Sequence, residues 1–286
     1  MNCKQLSLVL SLTCGLTTAS SALAADAPKL QFPAPSPSCT LKQHVGLTDI
    51  EVDYSRPGVK GRAIFGSMLP YGKVWRTGAN SATKVIFSTP VKLNGSDVPA
   101  GTYALMTIPD KGEWTIIVNK GAEQWGAYKY DEKDDVVRFK AKAIALKKPV
   151  ETFTIDFSNI KDDSANLDLT WDKVTVPINV TVDYAPTLTK EIQAEMASDD
   201  AKKPYFQAAK FYYDHGLDLQ QASKWIDAAI ADHEAHYIVY VKAEILQKLG
   251  DKQGALAAAK RSKELAEKAN DTGYVKLNEI LIAKLK

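Results

Sequence analysis

Hydrophobic and polar positions alternate with a period of two through most of residues 40–183. In the stretch LTDIEVDYS, for example, Ile50, Val52 and Tyr54 fall on one face and three acidic residues fall on the other. Such alternation is typical of strands with one buried face. About nine short segments of this kind follow one another, separated by turn signals such as Asn94-Gly95, which favours a tight hairpin. No helical pattern intervenes, so the sequence predicts an antiparallel β domain, either a sandwich or a barrel.

The pattern changes to a helical period after residue 183, where Gly and Pro also become rare. Two segments, GLDLQQA and GDKQGALA, repeat the same residue types at a constant offset of 33 positions. This offset is close to the 34-residue period of tetratricopeptide repeats. The sequence therefore predicts an all-α, tetratricopeptide-like domain of helical hairpins over residues 184–286, and an α+β multidomain protein as a whole. The predicted helices lie near 187–198, 204–215, 219–232, 236–249, 252–269 and 272–285.

The first 39 residues precede both predicted domains. A lysine, the apolar run LSLVLSLTCGL and small residues around Ala24 are typical of a signal peptide. We expect residues 1–24 to be removed by cleavage near Ala24, and the protein to be periplasmic or secreted. Residues 25–39 are rich in Pro, Ala and Ser, which predicts an extended leader. Two cysteines would leave with the signal, so Cys39 would remain without a disulfide partner.

The overall composition is that of an ordinary globular protein, with 45% hydrophobic and 24% charged residues. Its net charge of +2 is too small to attract nucleic acid or an anionic membrane through bulk electrostatics. Beyond the signal, no apolar stretch approaches the roughly 20 residues of a spanning helix. We therefore expect no nucleic-acid partner and no membrane span. Any preference for anions must come from a local cluster of charge.

Local charge is unusual between Tyr54 and Ser96, a stretch with seven Lys or Arg residues and no Asp or Glu. Within it, residues 56–83 show neither a strand nor a helix pattern. Loops of this length in a compact domain are usually functional or disordered. This loop also carries large apolar residues and several turn signals, such as Pro57-Gly58. We therefore expect it to be ordered and to fold back over the β domain.

An ordered loop would bring its arginines together. Guanidinium groups make planar two-point contacts with carboxylates and phosphates, and they stack on aromatic rings. The predicted ligand-binding residues are Arg56, Arg62, Tyr71, Trp75, Arg76 and Asn80. A structural alternative is that these arginines pair with the acids of the preceding strand, Asp49, Glu51 and Asp53.

Several long motifs in this region resemble one bacterial family of secreted proteins. They include DIEVDYSRPGVKGRAIFG, LPYGKVWRTGAN, VPAGTYALMTIP and QWGAYKYDEKDDVVRF, which follow in this order between residues 37 and 183. The family is known as domain of unknown function 2911, and many members carry a helical extension similar to the C-terminal region here. The resemblance implies an exported, β-rich domain. It implies no reaction, because the family has no established activity.

Motifs for catalysis or metal binding are few. His233 and His236 are three residues apart, one short of the zinc-protease spacing, and no third ligand accompanies them. The acidic run DEKDD lacks the ligand spacing and the glycine of a calcium loop. A hydrolase elbow and nucleotide-binding fingerprints are absent from the sequence. We predict no catalytic residue, metal or cofactor. We interpret Trp114 and Trp171 as packing residues. Trp125 could either pack in the core or provide a platform for a sugar ring.

Three functions stay open at this level. The favoured one is an exported, non-catalytic binding protein whose loop holds an anionic small molecule or glycan. The second is an envelope scaffold that binds a protein partner through its helical array. The third is a hydrolase or transferase, which requires a His, Cys or carboxylate with a perturbed pKa near Arg76. The absence of histidine between residues 45 and 214 disfavours this third function.

Overall fold

The computed structural model describes residues 32–286, which form an N-terminal β region and a C-terminal helical region. The β region contains ten strands: β1 (Ser38–Val45), β2 (Thr48–Ser55), β3 (Thr83–Phe87), β4 (Val91–Leu93), β5 (Ser96–Val98), β6 (Gly101–Ile108), β7 (Glu113–Asn119), β8 (Asp135–Lys142), β9 (Ile144–Ser158) and β10 (Ser164–Thr181). The helical region contains six helices: α1 (Ala185–Ala197), α2 (Tyr205–Asp214), α3 (Leu219–Asp232), α4 (His236–Lys248), α5 (Lys252–Lys268) and α6 (Thr272–Leu285).

The strands form two antiparallel sheets. The larger sheet has the order β1-β2-β3-β6-β7-β8, and the smaller one has the order β5-β4-β10-β9. Buried side chains of both sheets belong to one hydrophobic cluster, which includes Phe87, Trp114, Phe153 and Trp171. The prediction of an antiparallel β domain is confirmed, and the two-sheet arrangement corresponds to the sandwich alternative.

The hairpin predicted at Asn94-Gly95 is confirmed. Leu93 pairs with Ser96 across a two-residue turn, and both turn residues have positive φ, 46° at Asn94 and 84° at Gly95. Positive φ at both central positions is the geometry of a type I′ turn, whose twist matches that of the flanking strands. This hairpin belongs to the smaller sheet, so β3 continues to β6 within the larger one.

The strand boundaries differ from the predicted ones in two places. Segments predicted as separate strands merge into the long strands β9 and β10, whose pairing shifts register between Thr170 and Val174. These register shifts interrupt the alternation of hydrophobic and polar residues. In the sequence, each long strand therefore resembles two shorter strands. Strand β1 begins at Ser38, inside the predicted leader, and pairs along its whole length with β2.

The six predicted helices are confirmed to within about two residues at each end. Asp218 and Asp251, which occupy equivalent positions in the internal repeat, are the N-caps of α3 and α5. Each side chain accepts hydrogen bonds from backbone N–H groups of the first turn. Ala222 and Ala255, also equivalent in the repeat, are completely buried. The equivalent aspartates therefore start a helix, and the equivalent alanines pack on its buried face.

The predicted signal peptide and its cleavage near Ala24 lie outside the described residues. Among residues 32–286, no helix combines the length and apolar character needed to cross a membrane.

Candidate functional site

The loop between β2 and β3, residues 56–82, is ordered and lies against both sheets. Trp75 exchanges two backbone hydrogen bonds with Thr107 of β6, at 2.7 and 2.9 Å. On the other side, the backbone N–H of Val59 donates to the carbonyl of Glu151 in β9 at 2.7 Å. The side chain of Ile64 is also buried. This burial and the backbone hydrogen bonds hold the loop in place against the two sheets.

The ring of Trp75 forms part of the core. It stacks on Trp171 with ring centroids 5.8 Å apart and meets Phe153 and Trp114 edge-on. Its Nε1–H donates to the carbonyl of Gly78 at 3.0 Å, which satisfies the only polar atom of the indole. The interpretation of Trp114 and Trp171 as packing residues is confirmed, since both are buried.

A cleft of about 480 Å³ opens beside the loop between β2 and β3. Four of the six predicted ligand-binding residues line it: Arg62, Trp75, Arg76 and Asn80. Lys60 adds a third cation, and Trp171, Met68 and Leu69 add apolar surface. None of the described residues that line the cleft is an Asp, Glu, His or Cys. The cleft is therefore a positively charged concavity with an aromatic wall.

Arg76 lies at the inner part of this cleft. Its Nε is buried and has no hydrogen-bond partner among the described protein atoms. Buried N–H groups in folded proteins are almost always paired, and leaving one unpaired costs about 1–3 kcal/mol. Its Nη1 lies 3.3 Å from the point where a Cβ would project from Gly126, a residue with φ of 68°. The lack of a side chain at Gly126 therefore leaves room for the guanidinium group.

Arg62 is exposed at the opposite end of the loop. Its Nε donates to the carbonyl of Val59 at 3.0 Å, and its Nη2 donates to the carbonyl of Gly58. These bonds curl the side chain over its own loop and fix the plane of the guanidinium group. The bonds are made to neutral carbonyls, so the positive charge of Arg62 is not balanced by them.

Lys60 and Asn80 join the cleft to the chain that precedes β1. The Nζ of Lys60 donates to the carbonyl of Pro35 at 3.3 Å, and the Nδ2 of Asn80 donates to that of Ser36 at 3.2 Å. Pro35 and Ser36 also line the cleft. One carboxylate lies near this rim, since Oε1 of Glu151 accepts from the backbone N–H of Lys60 at 2.8 Å.

Three non-glycine residues of the loop have left-handed backbone conformations, with φ of 48° at Lys60, 54° at Thr77 and 59° at Asn80. Positive φ is strongly disfavoured for a β-branched residue such as Thr77. The side chain of Thr77 is buried, with its Oγ1 3.1 Å from Oγ1 of Thr107, and its carbonyl accepts from Thr83 Oγ1 at 2.6 Å. These bonds hold Thr77 in its left-handed conformation, and strain of this kind concentrates at functional sites.

Two predicted site residues lie elsewhere. Arg56 is half-buried against β9, where its Nε donates to the carbonyl of Phe153 at 3.2 Å and its Nη2 to Thr154 Oγ1 at 2.8 Å. The ring of Tyr71 covers Gly66 instead of the cleft. The loop therefore brings together two of its three arginines, because the third is used to attach the loop to the smaller sheet.

The alternative that the loop arginines pair with the β2 acids is wrong. Within residues 32–286 no carboxylate lies within the 4.0 Å ion-pair distance of the guanidinium groups of Arg56, Arg62 or Arg76. The β2 acids have other partners. Glu51 pairs with Lys42 at 2.7 Å, Asp49 with His44 at 2.8 Å, and Asp53 accepts from Thr40.

Lys60, Ser36 and Trp171 line the cleft but were not predicted as site residues. Lys60 was visible as one of the seven cations of the acid-free stretch. Trp171 comes from β10, more than ninety positions further along the chain than Arg76. No local signal connects these segments, so only the packing of the loop identifies them.

The other candidate centres have structural partners. His236 lies 3.2 Å from the carboxylate of Asp271, and His233 follows the last residue of α3. No group of three or more potential metal ligands occurs among residues 32–286. In the DEKDD run, Asp131 caps a short 3₁₀ helix and Asp135 binds Arg138.

Comparison with known proteins agrees with the resemblance found in the motifs. A family model described as "Protein of unknown function (DUF2911)" matches residues 36–180, which cover the ten strands almost completely. The matched region includes the whole loop and every residue that lines the cleft except Pro35. No curated protein and no solved structure matches this chain.

Proposed function

This chain belongs to the DUF2911 family of proteins of unknown function, and we propose that its β domain is a non-catalytic module that binds an anionic small molecule or glycan. The single observation that carries the proposal is the cleft with Lys60, Arg62 and Arg76 and no lining carboxylate. A cluster of like charges is unfavourable by itself, and a bound anion would relieve the repulsion.

A binding role uses the groups that the cleft contains. Guanidinium, ammonium and amide groups are hydrogen-bond donors, and the tryptophan edges supply apolar contact. A hydrolase would in addition need a general base or nucleophile within reach of Arg76. No carboxylate of the described residues lines the cleft, and that of Glu151 accepts a hydrogen bond from the backbone N–H of Lys60. These features support binding over catalysis.

We also propose that the protein acts outside the cytoplasm, after removal of residues 1–24. The support is the sequence pattern around Ala24. Mass spectrometry of the protein isolated from its native host would give the mature N-terminus. A mature protein beginning near Ala25 agrees with export, whereas an intact Met1 in the cytoplasmic fraction would contradict it.

The binding proposal is tested by calorimetric titration with phosphate and with galacturonate at low and high salt. The Debye length falls from about 10 Å at 0.1 M salt to about 3 Å at 1 M, so binding should weaken as salt rises. The double variant Arg62→Gln/Arg76→Gln should lose binding by at least roughly tenfold, because two charge-assisted contacts disappear.

The matched control is Lys111→Gln/Lys190→Gln, which removes the same charge at exposed positions outside the cleft. It should bind as the wild type does. If neither anion binds to the wild type, or if both double variants lose affinity equally, the cleft is not the site and the proposal fails.

A second candidate function rests on the helical region. A groove of about 490 Å³ runs between α3, α4 and α5, with Val239 and Ala258 on its floor. Two ion pairs flank it, Asp227–Lys242 at 2.6 Å and Glu234–Arg261 at 2.6 Å. Under this candidate the six helices are a tetratricopeptide-like array, and the groove holds an extended segment of a protein partner. Peptides selected for binding to the full chain should no longer bind the variant Lys242→Ala/Arg261→Ala. Unchanged binding would exclude the groove as the peptide site.

A further inference from the structure

Two aromatic side chains lie exposed on the segment between β7 and β8. Trp125 is 64% exposed and Tyr128 is 83% exposed, although they are close in sequence and share one loop. Scattered exposed apolar residues need no explanation, but adjacent large rings in one loop mark a surface that contacts something else. Trp and Tyr are the side chains suited to such a surface, since each combines an apolar ring with a polar atom.

The loop that carries these rings is attached to the cleft loop by two backbone hydrogen bonds. The N–H of Ala82 donates to the carbonyl of Gln124 at 2.9 Å, and the N–H of Gly126 donates to the carbonyl of Asn80 at 3.0 Å. Between these bonds, Ser81 and Trp125 form an isolated antiparallel bridge. The backbone that carries the rings is therefore held next to Asn80 by these hydrogen bonds.

The ring of Tyr128 and the guanidinium group of Arg76 approach the same point. A ring carbon of Tyr128 lies 2.7 Å, and Nη1 of Arg76 lies 3.3 Å, from the Cβ position of Gly126. The ring and the guanidinium group are thus no more than about 6 Å apart. We call Trp125 and Tyr128 the aromatic rim. Neither ring lines the cleft itself, and Arg76 is the residue that both lines the cleft and approaches the ring of Tyr128.

A charged group next to an aromatic ring at this distance fits a sugar acid. A pyranose ring packs its apolar C–H face on an aromatic side chain, while its hydroxyl and carboxylate groups accept hydrogen bonds from donors beside the ring. We infer that the ligand is an acidic oligosaccharide, with its uronate carboxylates on the cations of the cleft, Arg76 among them, and a neighbouring sugar ring on Trp125 and Tyr128. This inference rests on the proposed function of the cleft.

The charges around the aromatic rim favour a sugar chain over a nucleic acid. Single-stranded nucleic acids also combine stacking on aromatic rings with contacts to cations, but they carry a phosphate on every nucleotide. Around the rim the charges are mixed and largely paired, since Glu123 pairs with Lys84, Glu132 and Asp135 pair with Arg138, and Lys129 follows Tyr128. Within the described residues, such a surface offers no row of unpaired cations for closely spaced phosphates, whereas an oligosaccharide can place neutral hydroxyls along it.

The test compares galacturonate, trigalacturonate and the neutral cellotriose by calorimetric titration of the full chain. The wild type should bind trigalacturonate at least roughly tenfold more tightly than the monosaccharide, because only the trisaccharide reaches both the cations and the rim. In Trp125→Ala/Tyr128→Ala this advantage should disappear while the affinity for galacturonate stays the same. Trp125→Phe/Tyr128→Phe keeps both rings and should restore most of it.

The matched control, Leu47→Ala/Ile160→Ala, truncates two exposed apolar residues elsewhere on the β domain and should retain the advantage. Equal affinities of the wild type for galacturonate and trigalacturonate, or a full advantage in the double alanine variant, would overturn the inference and leave the anion site intact. Tighter binding of an oligothymidylate that depends on the rim would replace the glycan by a nucleic acid. Failure of all anions to bind would instead remove the proposed function itself.

Discussion

Trp75 connects the cleft to the hydrophobic core. It is 7% exposed, so its contribution to the cleft is an edge, while most of its ring packs on Trp114, Phe153 and Trp171. Because Trp75 packs in the core, replacing it should change the stability of the fold as well as the shape of the cleft. Trp125, in contrast, is mostly in contact with solvent.

The variant Trp75→Ala should lower the free energy of unfolding by about 3–5 kcal/mol, since it removes a buried aromatic ring and leaves a cavity. Trp125→Ala should change it by no more than about 0.5 kcal/mol, because surface substitutions rarely do more. Urea denaturation followed by circular dichroism measures both. Equal effects of the two variants would contradict the packing described for Trp75.

The negative charge of Glu244 opposes folding of the helical region. It lies half-buried on α4, and burial raises the pKa of its carboxyl group above the ordinary value, with Asp214 adding to the rise and Lys210 opposing it. A carboxyl group with a raised pKa contributes stability that is fully present below its unfolded-state pKa and is lost as pH rises through its folded-state pKa. At neutral pH the buried carboxylate is therefore a cost to the helical region.

Glu244→Gln should raise the melting temperature at pH 7, and the difference from the wild type should shrink as pH falls toward the ordinary carboxyl pKa. Thermal denaturation at several pH values measures this difference. Glu191→Gln, on the exposed side of α1, is the control and should show no such trend. A stabilisation by Glu244→Gln that persists unchanged at pH 4 would exclude the charge as its cause.

Among the elements, three of the six helices begin at acidic caps. The side chains of Asp218, Asp251 and Asp271 each accept a hydrogen bond from a backbone N–H in the first turn of the following helix. A carboxylate there also interacts favourably with the positive end of the helix dipole. The backbone hydrogen bonds to Asp271 are the main cause that lowers the pKa of its carboxyl group.

Asp251→Ala should destabilise the helical region by about 1 kcal/mol, the usual cost of losing an N-cap. Asp232 is the last residue of α3, where a negative charge is unfavourable, so Asp232→Ala should be neutral or slightly stabilising. Both effects can be measured by thermal unfolding of the full chain. A loss of stability in Asp232→Ala equal to that in Asp251→Ala would contradict this expectation.

At the scale of the whole molecule, the chain contains separate cores. The buried residues of the two sheets form their own clusters, and those of the six helices form others. Tyr184 stands at the connection, with its ring 6.4 Å from Phe211 and 5.6 Å from His215. A side chain at Gly46, in the β1–β2 turn, would collide with that same ring.

Fragments 32–184 and 185–286 should each fold when produced alone, because each contains a complete hydrophobic core. Circular dichroism and cooperative thermal unfolding would show this. The β fragment should also keep the anion affinity of the full chain, since every residue that lines the cleft lies within it. A β fragment that folds but has lost affinity would mean that the helices contribute to the site.

The sequence by itself determined the elements, because they depend on local and repeating signals. A period of two marked the strands, a helical period marked the six helices, and Asn94-Gly95 marked a hairpin. The register shifts in β10 broke the alternation, so β9 and β10 could not be recognised as single strands. The acid-free loop could be identified as ordered from its apolar residues and turns alone.

Only the tertiary structure decided which cations share the cleft. Arg62 and Arg76 line it with Lys60, whereas Arg56 is bound to the backbone of β9. The walls come from segments far apart in sequence, so their meeting depends on how the loop packs on two sheets and on no periodic pattern. The same packing brings the aromatic rim next to Arg76, because backbone hydrogen bonds join residues 80–82 to 124–126. Periodic burial thus determines the elements, and long-range packing determines the site.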